Sequence, residues 1–265
     1  MGRTRILGFE WDASSSHARG AALGPSVVKR LFSSEASSSY STDLVDMRDA
    51  IESYVIPELP EDGAAARDLI SKTVAECLAA GLAPLSVGGD HSVTYPILKA
   101  VCAARGPVNV LHIDAHPDLH DNYEGDPFSH ACPFARALDD GLIGKLVQVG
   151  IRCFDPHQLA QAKKFGVTIL RADQLDDVPA DIFAGPLYMS IDLDGLDPAF
   201  APGVSHPEPG GLSTLDVLKL IRRIKGPLIG ADVVELNPER DLQMTTARVA
   251  VRLMKELAAA IVSRA

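Results

Sequence analysis

Two patterns of apolar residues alternate along the chain. Short runs of apolar and β-branched residues are separated by longer segments in which apolar positions recur every three or four residues. The first pattern predicts buried parallel strands and the second predicts amphipathic helices. The predicted strands cover residues 5–10, 43–46, 85–87, 108–113, 146–151, 167–170, 187–191 and 228–234. The predicted helices cover residues 64–80, 93–104, 131–138, 156–165, 213–224 and 245–262.

This alternation of strands and helices runs through the whole sequence. It predicts an α/β fold: a three-layer α/β/α sandwich with a mostly parallel sheet of about eight strands. We see no composition shift that would mark a boundary, so we expect one domain over residues 1–265. The serine-rich stretch SSEASSSYS, residues 33–41, is short and is predicted to be a surface loop.

Composition narrows the function classes. The 265 residues are 46% apolar and only 5% aromatic, which allows a sizeable core built mainly from aliphatic side chains. The formal net charge of -10, without a run of Lys or Arg, argues against nucleic-acid binding. Such a charge would attract a small cationic partner, although many proteins are acidic simply to remain in solution.

The four cysteines and the N-terminal segment bear on location. Cys77, Cys102, Cys132 and Cys153 form no CxxC pair, so neither a zinc knuckle nor a disulfide framework is indicated. The opening MGRTRILGFEWD is typical of a strand rather than a signal sequence, and no apolar run reaches membrane-spanning length. We therefore expect a cytoplasmic protein that does not enter a membrane.

Candidate chemistry is concentrated where three predicted strands end. GGDHS covers residues 88–92, DAHPD covers 114–118, and SIDLDGLDP covers 190–198. In parallel α/β sheets, ligands bind outside the carboxyl ends of the strands. We therefore expect these three clusters to converge on one crevice.

The clusters contain a set of oxygen and nitrogen ligands. Four carboxylates buried together would repel one another, and two divalent cations would neutralise them. A mixed carboxylate and imidazole set favours manganese over zinc, whose structural sites prefer thiolates. The candidate metal ligands are His91, Asp114, His116, Asp118, Asp192 and Asp194.

Other polar residues of these clusters have simpler interpretations. A single Asp at a strand end is more often a helix cap or a turn former than a ligand. We interpret Asp90, Asp121 and Asp197 in that way. His112 lies inside the apolar run before Asp114 and is predicted to be a core histidine.

Five strings resemble, in order, the motifs of the ureohydrolase family, which includes arginases and agmatinases. They are GGDHS, DAHPDLHD, SHACPFARA, SIDLDGLDPAFAPG and ADVVELNPERD, and WDASSSHARGAALGP extends the likeness upstream. The resemblance implies an arginase-like fold and a dinuclear manganese hydrolase that releases urea from a small cationic guanidino substrate. It also implies a homotrimer or homohexamer.

The resemblance also implies a ligand for each position of the metal pair. Asp114 and Asp192 would bridge two Mn²⁺ ions. The first ion would be completed by His91 and Asp118. The second ion would be completed by His116 and Asp194.

Three residues receive catalytic roles by the same resemblance. His130 in SHACPF would protonate the departing amine, a task that needs a group titrating near neutrality. Asp118 would accept a proton during the attack on the substrate. Glu235, which directly follows the apolar run of ADVVEL, would hold the guanidinium through paired hydrogen bonds. The simpler alternatives are a helix-end role for His130 and a solvated loop acid for Glu235.

Substrate choice is predicted to depend on the loop at residues 119–129, LHDNYEGDPFS. Its acids Asp121, Glu124 and Asp126 would repel a substrate carboxylate and suit a cationic amine, which favours agmatine over arginine. Asp155 lies where arginases place an acid for the substrate α-amino group. Arginine is therefore the second candidate, followed by other guanidino acids and formiminoglutamate.

A member of another class would be a metal-dependent binding protein without catalysis. The presence of all six ligands together with His130 and Glu235 favours an enzyme. His120, next to the second metal motif, receives no role from the sequence.

Overall fold

Eight parallel strands form one sheet in the computed structural model, which describes residues 3–34 and 38–264. The strands are β1 Thr4–Gly8, β2 Ile51–Val55, β3 Ala83–Val87, β4 Val108–Ile113, β5 Ile143–Val149, β6 Thr168–Leu170, β7 Leu187–Asp192 and β8 Leu228–Val234. Their order across the sheet is β2-β1-β3-β8-β7-β4-β5-β6. Every strand pair within the described residues is parallel, which confirms the predicted sheet.

Eight α-helices cover the sheet in the described ranges. They are α1 Gly24–Phe32, α2 Met47–Ala50, α3 Gly63–Ala79, α4 Thr94–Arg105, α5 Pro133–Asp139, α6 Pro156–Phe165, α7 Thr214–Arg223 and α8 Thr245–Ser263. One apolar core joins a sheet face to α1, α2, α7 and α8, and a second joins the opposite face to α3, α4, α5 and α6. The predicted three-layer sandwich is therefore confirmed.

Helix boundaries follow local signals in the sequence. Asp62 caps α3 by accepting a hydrogen bond from the Ala65 amide, and Ser213 forms a capping box at the start of α7. Gly166 ends α6 in the left-handed conformation that glycine adopts without strain. All six predicted helices lie within two residues of the observed bounds.

The strand predicted at residues 43–46 is wrong. Leu44, one of its two apolar residues, has a left-handed backbone (φ 61°) and is 80% exposed, so it contributes nothing to the core. Asp46 instead caps α2, accepting a hydrogen bond from the Arg48 amide. The second strand lies later, at Ile51–Val55, on the edge of the sheet.

The serine-rich segment is only partly described. Residues 35–37 of the predicted 33–41 loop lie outside the described residues. Tyr40 forms an isolated antiparallel bridge with Asp46. None of the described helices has the length and apolar character needed to cross a bilayer.

Candidate active site

Four neighbouring strands at the centre of the sheet deliver polar residues to one edge. These strands, β3, β8, β7 and β4, stand side by side. His91 follows β3, Glu235 directly follows β8, Asp192 ends β7, and Asp114 directly follows β4. Because the strands are parallel, all four residues lie at the carboxyl edge, and the three predicted clusters do converge there.

The loop after β3 is held tightly by its own polar groups. Asp90 accepts hydrogen bonds from the amides of Ser92 (3.1 Å) and Ser14 (3.0 Å), which confirms its predicted capping role. Gly89 packs against the neighbouring backbone, since a Cβ there would lie 1.7 Å from the Trp11 carbonyl oxygen. This loop fixes the position of His91.

Of the remaining single acids, Asp197 has the predicted turn-forming role, whereas Asp121 contacts a surface histidine instead. Asp197 accepts hydrogen bonds from the amides of Ala199 (2.9 Å) and Gly210 (2.7 Å) and stabilises a turn. Asp121 lies 3.1 Å from His157 Nε2 on the surface.

Three carboxylates surround one ring nitrogen of His91. Its Nδ1 lies 3.1 Å from oxygens of Asp114 and Asp118 and 3.2 Å from Asp192 Oδ2. None of these approaches has the direction of a hydrogen bond, so Nδ1 is buried without a partner among the described residues. This converging set suits a cation placed between the four groups.

A second group of donors shares Asp114 with the first. His116 Nδ1 lies 3.2 Å from Asp194 Oδ2 and 3.4 Å from Asp114 Oδ1. The ligand atoms of Asp114, His116 and Asp194 lie within 4.8 Å of one another. A shared carboxylate between two donor groups is the arrangement that a bridged pair of ions requires.

The electrostatics of these carboxylates also fit bound cations. Asp114, Asp118, Asp192 and Asp194 are all buried. Burial and the neighbouring Asp194 and Asp114 carboxylates raise the pKa of Asp192 well above its usual range. Burial and Asp114 raise the pKa of Asp194 to about 6. Such a surplus of negative charge is unfavourable unless cations or protons compensate it, and divalent ions fit the donors present.

His112 is buried as predicted, but it also contacts a ligand. Gln148 uses its amide group to donate to the Pro117 carbonyl (2.6 Å) and to His112 Nδ1 (3.0 Å). His112 therefore carries its proton on Nε2, which lies 2.8 Å from Asp114 Oδ2. The bond orients the shared carboxylate, a role that the sequence did not indicate.

His130 and Glu235 form a hydrogen-bonded pair beside the metal ligands. His130 Nδ1 lies 2.9 Å from Glu235 Oε1, which also accepts a hydrogen bond from the His91 amide at 3.0 Å. Burial lowers the pKa of His130, but the bond to Glu235 outweighs it and raises the pKa to about 9. Glu235 Oε2 is buried without a partner among the described residues, so it is open to a cationic ligand.

Two site residues have an unusual backbone. Asp118 and Glu235 adopt left-handed conformations, with φ of 52° and 64°. Non-glycine residues rarely do so, and such residues concentrate at functional sites. The Glu235 amide is held by the Gly89 carbonyl (2.8 Å), which secures this turn against the loop carrying His91.

A cavity of about 280 Å³ opens over these groups. Its inner part is formed by four of the ligands and by the His130–Glu235 pair. Its outer part is formed by residues from four loops and the start of α6, namely Ser16, His120, Tyr123, Asp155, Gln158 and His206. The volume suits a small molecule.

The acids predicted to select the substrate differ in position. Asp155 lines the cavity, and its Oδ2 lies 3.6 Å from His120 Nε2. Glu124 and Asp126 are exposed and are not part of the cavity lining. Asp126 instead accepts a hydrogen bond from the Phe128 amide at 2.8 Å, and this turn directs Tyr123 towards the cavity.

Sequence reasoning missed two further cavity residues. Ser16 Oγ lies 2.8 Å from His130 Nε2, and the ring centroid of His206 lies 5.4 Å from that of His130. Ser16 lies in WDASSSH and His206 in SHPEP. Neither residue directly follows a strand, so its position in the sequence does not indicate that it lines the cavity.

Comparisons with known proteins agree with this geometry. The Arginase family model matches residues 3–260. Arginase 2 of Arabidopsis thaliana, named as chloroplastic or mitochondrial, is 41% identical over 97% of this chain and 80% of its own length. A mitochondrial agmatinase of Gallus gallus is 34% identical, covering 95% of this chain and 79% of its own length.

A solved structure gives the same result for the fold. The arginase from Medicago truncatula superimposes with a TM-score of 0.91 at 36% identity, over 98% of this chain and 87% of that one. Sequence, architecture and the convergence of carboxylates and imidazoles at one sheet edge agree. The chain belongs to the arginase family of hydrolases.

Proposed function

We propose that this protein is a dinuclear manganese hydrolase that cleaves agmatine to putrescine and urea. The observation that carries the substrate is the charge of the cavity. Asp155 and Glu235 both line it, and none of its described lining residues is Lys or Arg. Agmatine presents a cation at each end and no anion, so it matches such a cavity.

The metal positions follow the two donor groups. His91 and Asp118 would complete one ion, and His116 and Asp194 the other, with Asp114 and Asp192 shared between them. Manganese suits these carboxylate and imidazole ligands. When bound, such a pair lowers the pKa of water enough for it to act as a nucleophile at neutral pH.

Glu235 is the candidate anchor for the guanidinium. Its Oε2 has no partner within the described residues, whereas Oε1 already accepts two hydrogen bonds. A guanidinium N–H directed at Oε2 would fix the orientation of the central carbon towards the metal ligands. Asp118, which also lines the cavity, would accept the proton that water loses as its oxygen bonds to that carbon.

His130 is the candidate acid. Its Nδ1 is held by Glu235, so Nε2, which faces the Ser16 amide (3.2 Å) and hydroxyl (2.8 Å) in the structure, is the atom that would deliver a proton to the nitrogen of the breaking C–N bond once it turns from these contacts to the substrate. The raised pKa of about 9 keeps the ring protonated near neutrality. The amine then leaves as a neutral molecule rather than as an anion, and urea remains.

The opposite end of the substrate would meet the outer wall. Asp155 Oδ1 already caps α6 by accepting from the Gln158 amide at 2.8 Å, while Oδ2 faces His120. A primary ammonium could bind this carboxylate. Glu124 and Asp126, which lie farther out, would contribute only through the negative potential around the entrance.

Arginine is the second candidate. Its α-amino group could use Asp155 as well as the agmatine ammonium could, and the plant arginase is among the most similar relatives. Its carboxylate, however, would enter a cavity whose described lining offers no Lys or Arg to pair with it.

A substrate panel tests this choice. Protein freed of metal and reloaded with Mn²⁺ is assayed for urea release from agmatine, arginine and guanidinobutyrate, and for formamide release from formiminoglutamate. We expect kcat/KM for agmatine to exceed that for arginine by at least about tenfold, since one unpaired carboxylate costs more than the 1.4 kcal/mol that tenfold represents. A higher value for arginine would overturn the proposed substrate.

A second test is the Asp155→Asn variant, which keeps the size of the side chain and removes its charge. It should raise KM for agmatine and leave the metal content at two per chain. An unchanged KM would remove Asp155 from the binding site.

We further propose one domain, a trimer or hexamer, and a reducing cytoplasmic compartment. The single sheet supports one domain, and membership of the family supports a trimer or hexamer. The four unpaired cysteines support a reducing compartment. Light scattering that gives a monomer would contradict the assembly.

A further inference from the structure

A buried chain of hydrogen bonds leads away from His91 on the side of the ring opposite the carboxylates. His91 Nε2 lies 3.0 Å from Ser190 Oγ, and Ser190 Oγ lies 2.6 Å from Asp232 Oδ1. The exposed fractions are 1% for His91 and 0% for both Ser190 and Asp232. Bulk water therefore cannot take the place of either partner.

The sheet itself creates this chain. Ser190 in β7 and Asp232 in β8 are directly opposite each other in the strand register. Ser190 lies two residues before Asp192, and Asp232 lies three residues before Glu235. The same two strands that carry a metal ligand and the guanidinium anchor thus also carry the groups behind His91.

The direction of each bond follows from the acceptors present. Asp232 Oδ2 accepts from the Tyr188 hydroxyl at 2.7 Å and from Thr94 Oγ1 at 3.0 Å. A carboxylate accepts hydrogen bonds and donates none, so the Ser190 hydroxyl donates to Oδ1. The lone pairs of Ser190 Oγ are then left for an N–H of His91. His91 therefore carries its proton on Nε2 and presents the lone pair of Nδ1 to the carboxylate cluster.

We propose that Ser190 and Asp232 are positioning residues that select Nδ1 of His91 as a metal ligand and hold the ring in place. The inference rests on the proposed dinuclear metal site. A ligating histidine binds a metal better when its other nitrogen donates to a fixed acceptor, because this sets the tautomer and increases the basicity of the ligand atom. Here a serine hydroxyl is the acceptor, and the carboxylate behind it polarises that hydroxyl.

A purely structural role makes a different prediction. The network could instead only satisfy buried polar groups. Any variant that removes one of the hydroxyl groups donating to Asp232 should then lower stability, and none should weaken metal binding more than the others. The chain provides such variants. Tyr188→Phe and Thr94→Val each remove one donor to Asp232 and leave the bond between His91 and Ser190 intact.

The test compares Ser190→Ala with these two controls. Each metal-free protein is titrated with Mn²⁺ in competition with a chelator of known affinity, and the bound metal is counted by elemental analysis. We expect Ser190→Ala to weaken one of the two ions by roughly 10- to 100-fold. The Tyr188→Phe and Thr94→Val proteins should bind both ions nearly as the parent does. Urea release by Ser190→Ala should recover at saturating Mn²⁺.

Asp232→Asn provides a second variant that keeps the shape of the side chain. Its amide can donate towards Ser190 and turn the hydroxyl towards His91, which would favour the wrong tautomer. It should weaken the same ion as Ser190→Ala does.

The outcomes separate this inference from the proposed function. Two ions in the parent with unchanged affinity in Ser190→Ala would overturn the positioning role alone. Equal weakening in Ser190→Ala and Tyr188→Phe would overturn it too. A parent that binds no Mn²⁺ would overturn the proposed metal site and the positioning role together.

Discussion

At the scale of single residues, His130 is the side chain whose role can be separated most cleanly from folding. It makes no direct contact with the proposed bridging ligands in the structure, yet it lines the cavity and is held by Glu235 at 2.9 Å. His130→Asn should lower kcat by roughly 10²–10⁴, because a positioned general acid contributes about that much. Metal content should stay at two ions per chain. Rates of metal-saturated variant and parent measure the effect.

The matched control is Ser16→Ala, which removes the hydroxyl that contacts His130 Nε2 and keeps the contact of the Ser16 amide with the same nitrogen (3.2 Å). Ser16→Ala should change kcat far less than His130→Asn does. If His130 served only the local fold, its replacement would cost about 1 kcal/mol of stability with little change in rate. A kcat near the parental value would exclude the proton-donor role.

The shared carboxylates should be more sensitive than any single histidine ligand. Asp114→Ala and Asp192→Ala should each abolish urea release and remove metal from both positions, because each would take a bridge from the ion pair. His91→Ala should mainly weaken one ion. Elemental analysis of the purified variants decides, and full manganese occupancy in Asp192→Ala would contradict the assignment.

The sequence motifs identify these functional residues because the residue types themselves indicate metal binding and proton transfer. All six candidate ligands, His130 and Glu235 are brought to one sheet edge. The supporting partners were not visible. Ser190 meets Asp232 across 42 residues of sequence, and His112 meets Gln148 across 36. Such pairs depend on strand register, which a single sequence does not specify.

At the scale of elements, the loop after β3 has a steric requirement that can be tested. A Cβ at Gly89 would lie 1.7 Å from the Trp11 carbonyl oxygen. Gly89→Ala should therefore lower the free energy of unfolding by roughly 1–3 kcal/mol, because the backbone must shift to admit the methyl group. The same shift should displace His91 and weaken metal binding. Denaturant unfolding of variant and parent measures the free energy.

Gly185 provides the control for that substitution. Its added Cβ would meet Asn109 only at 4.0 Å, an ordinary contact. Gly185→Ala should leave stability within about 1 kcal/mol of the parent. A Gly89→Ala protein as stable as Gly185→Ala would show that the loop is not constrained as described.

Element prediction succeeded where burial imposes a pattern and failed where it does not. Val108–Ile113 and Leu228–Val234 lie in the sheet interior and were predicted with their observed bounds. Edge strand β2 is only half buried, so its apolar pattern is weak, and the DLVD string predicts a strand more strongly although it forms none. Helix α1 was missed even though it opens with proline near its first turn, a known start signal.

At the scale of the whole molecule, bound metal should stabilise the fold. The ligands lie at the ends of three different strands or in the segments that follow them, so unfolding would separate them. Mn²⁺ at 100 times its dissociation constant should add about 2.7 kcal/mol for each site. Thermal melts of metal-free protein with increasing Mn²⁺ should therefore show a rising midpoint. Asp192→Ala should show a much smaller rise, and equal rises in both proteins would refute metal binding at this site.

The sheet order belongs to the same scale and could not be predicted from the alternation of elements. That pattern indicates a parallel sheet with helices on both faces, but several strand orders satisfy it. The observed order places β8 between β3 and β7. This placement brings Glu235 between His91 and Asp192, although residues 91 and 235 are far apart in sequence.

The most direct test of the account is a titration of metal-free protein with Mn²⁺ while urea release from agmatine is followed. The account predicts no turnover without metal, a rise that saturates at two ions per chain, and urea and putrescine in equal amounts. Turnover by fully metal-free protein, or release of ammonia in place of urea, would contradict it.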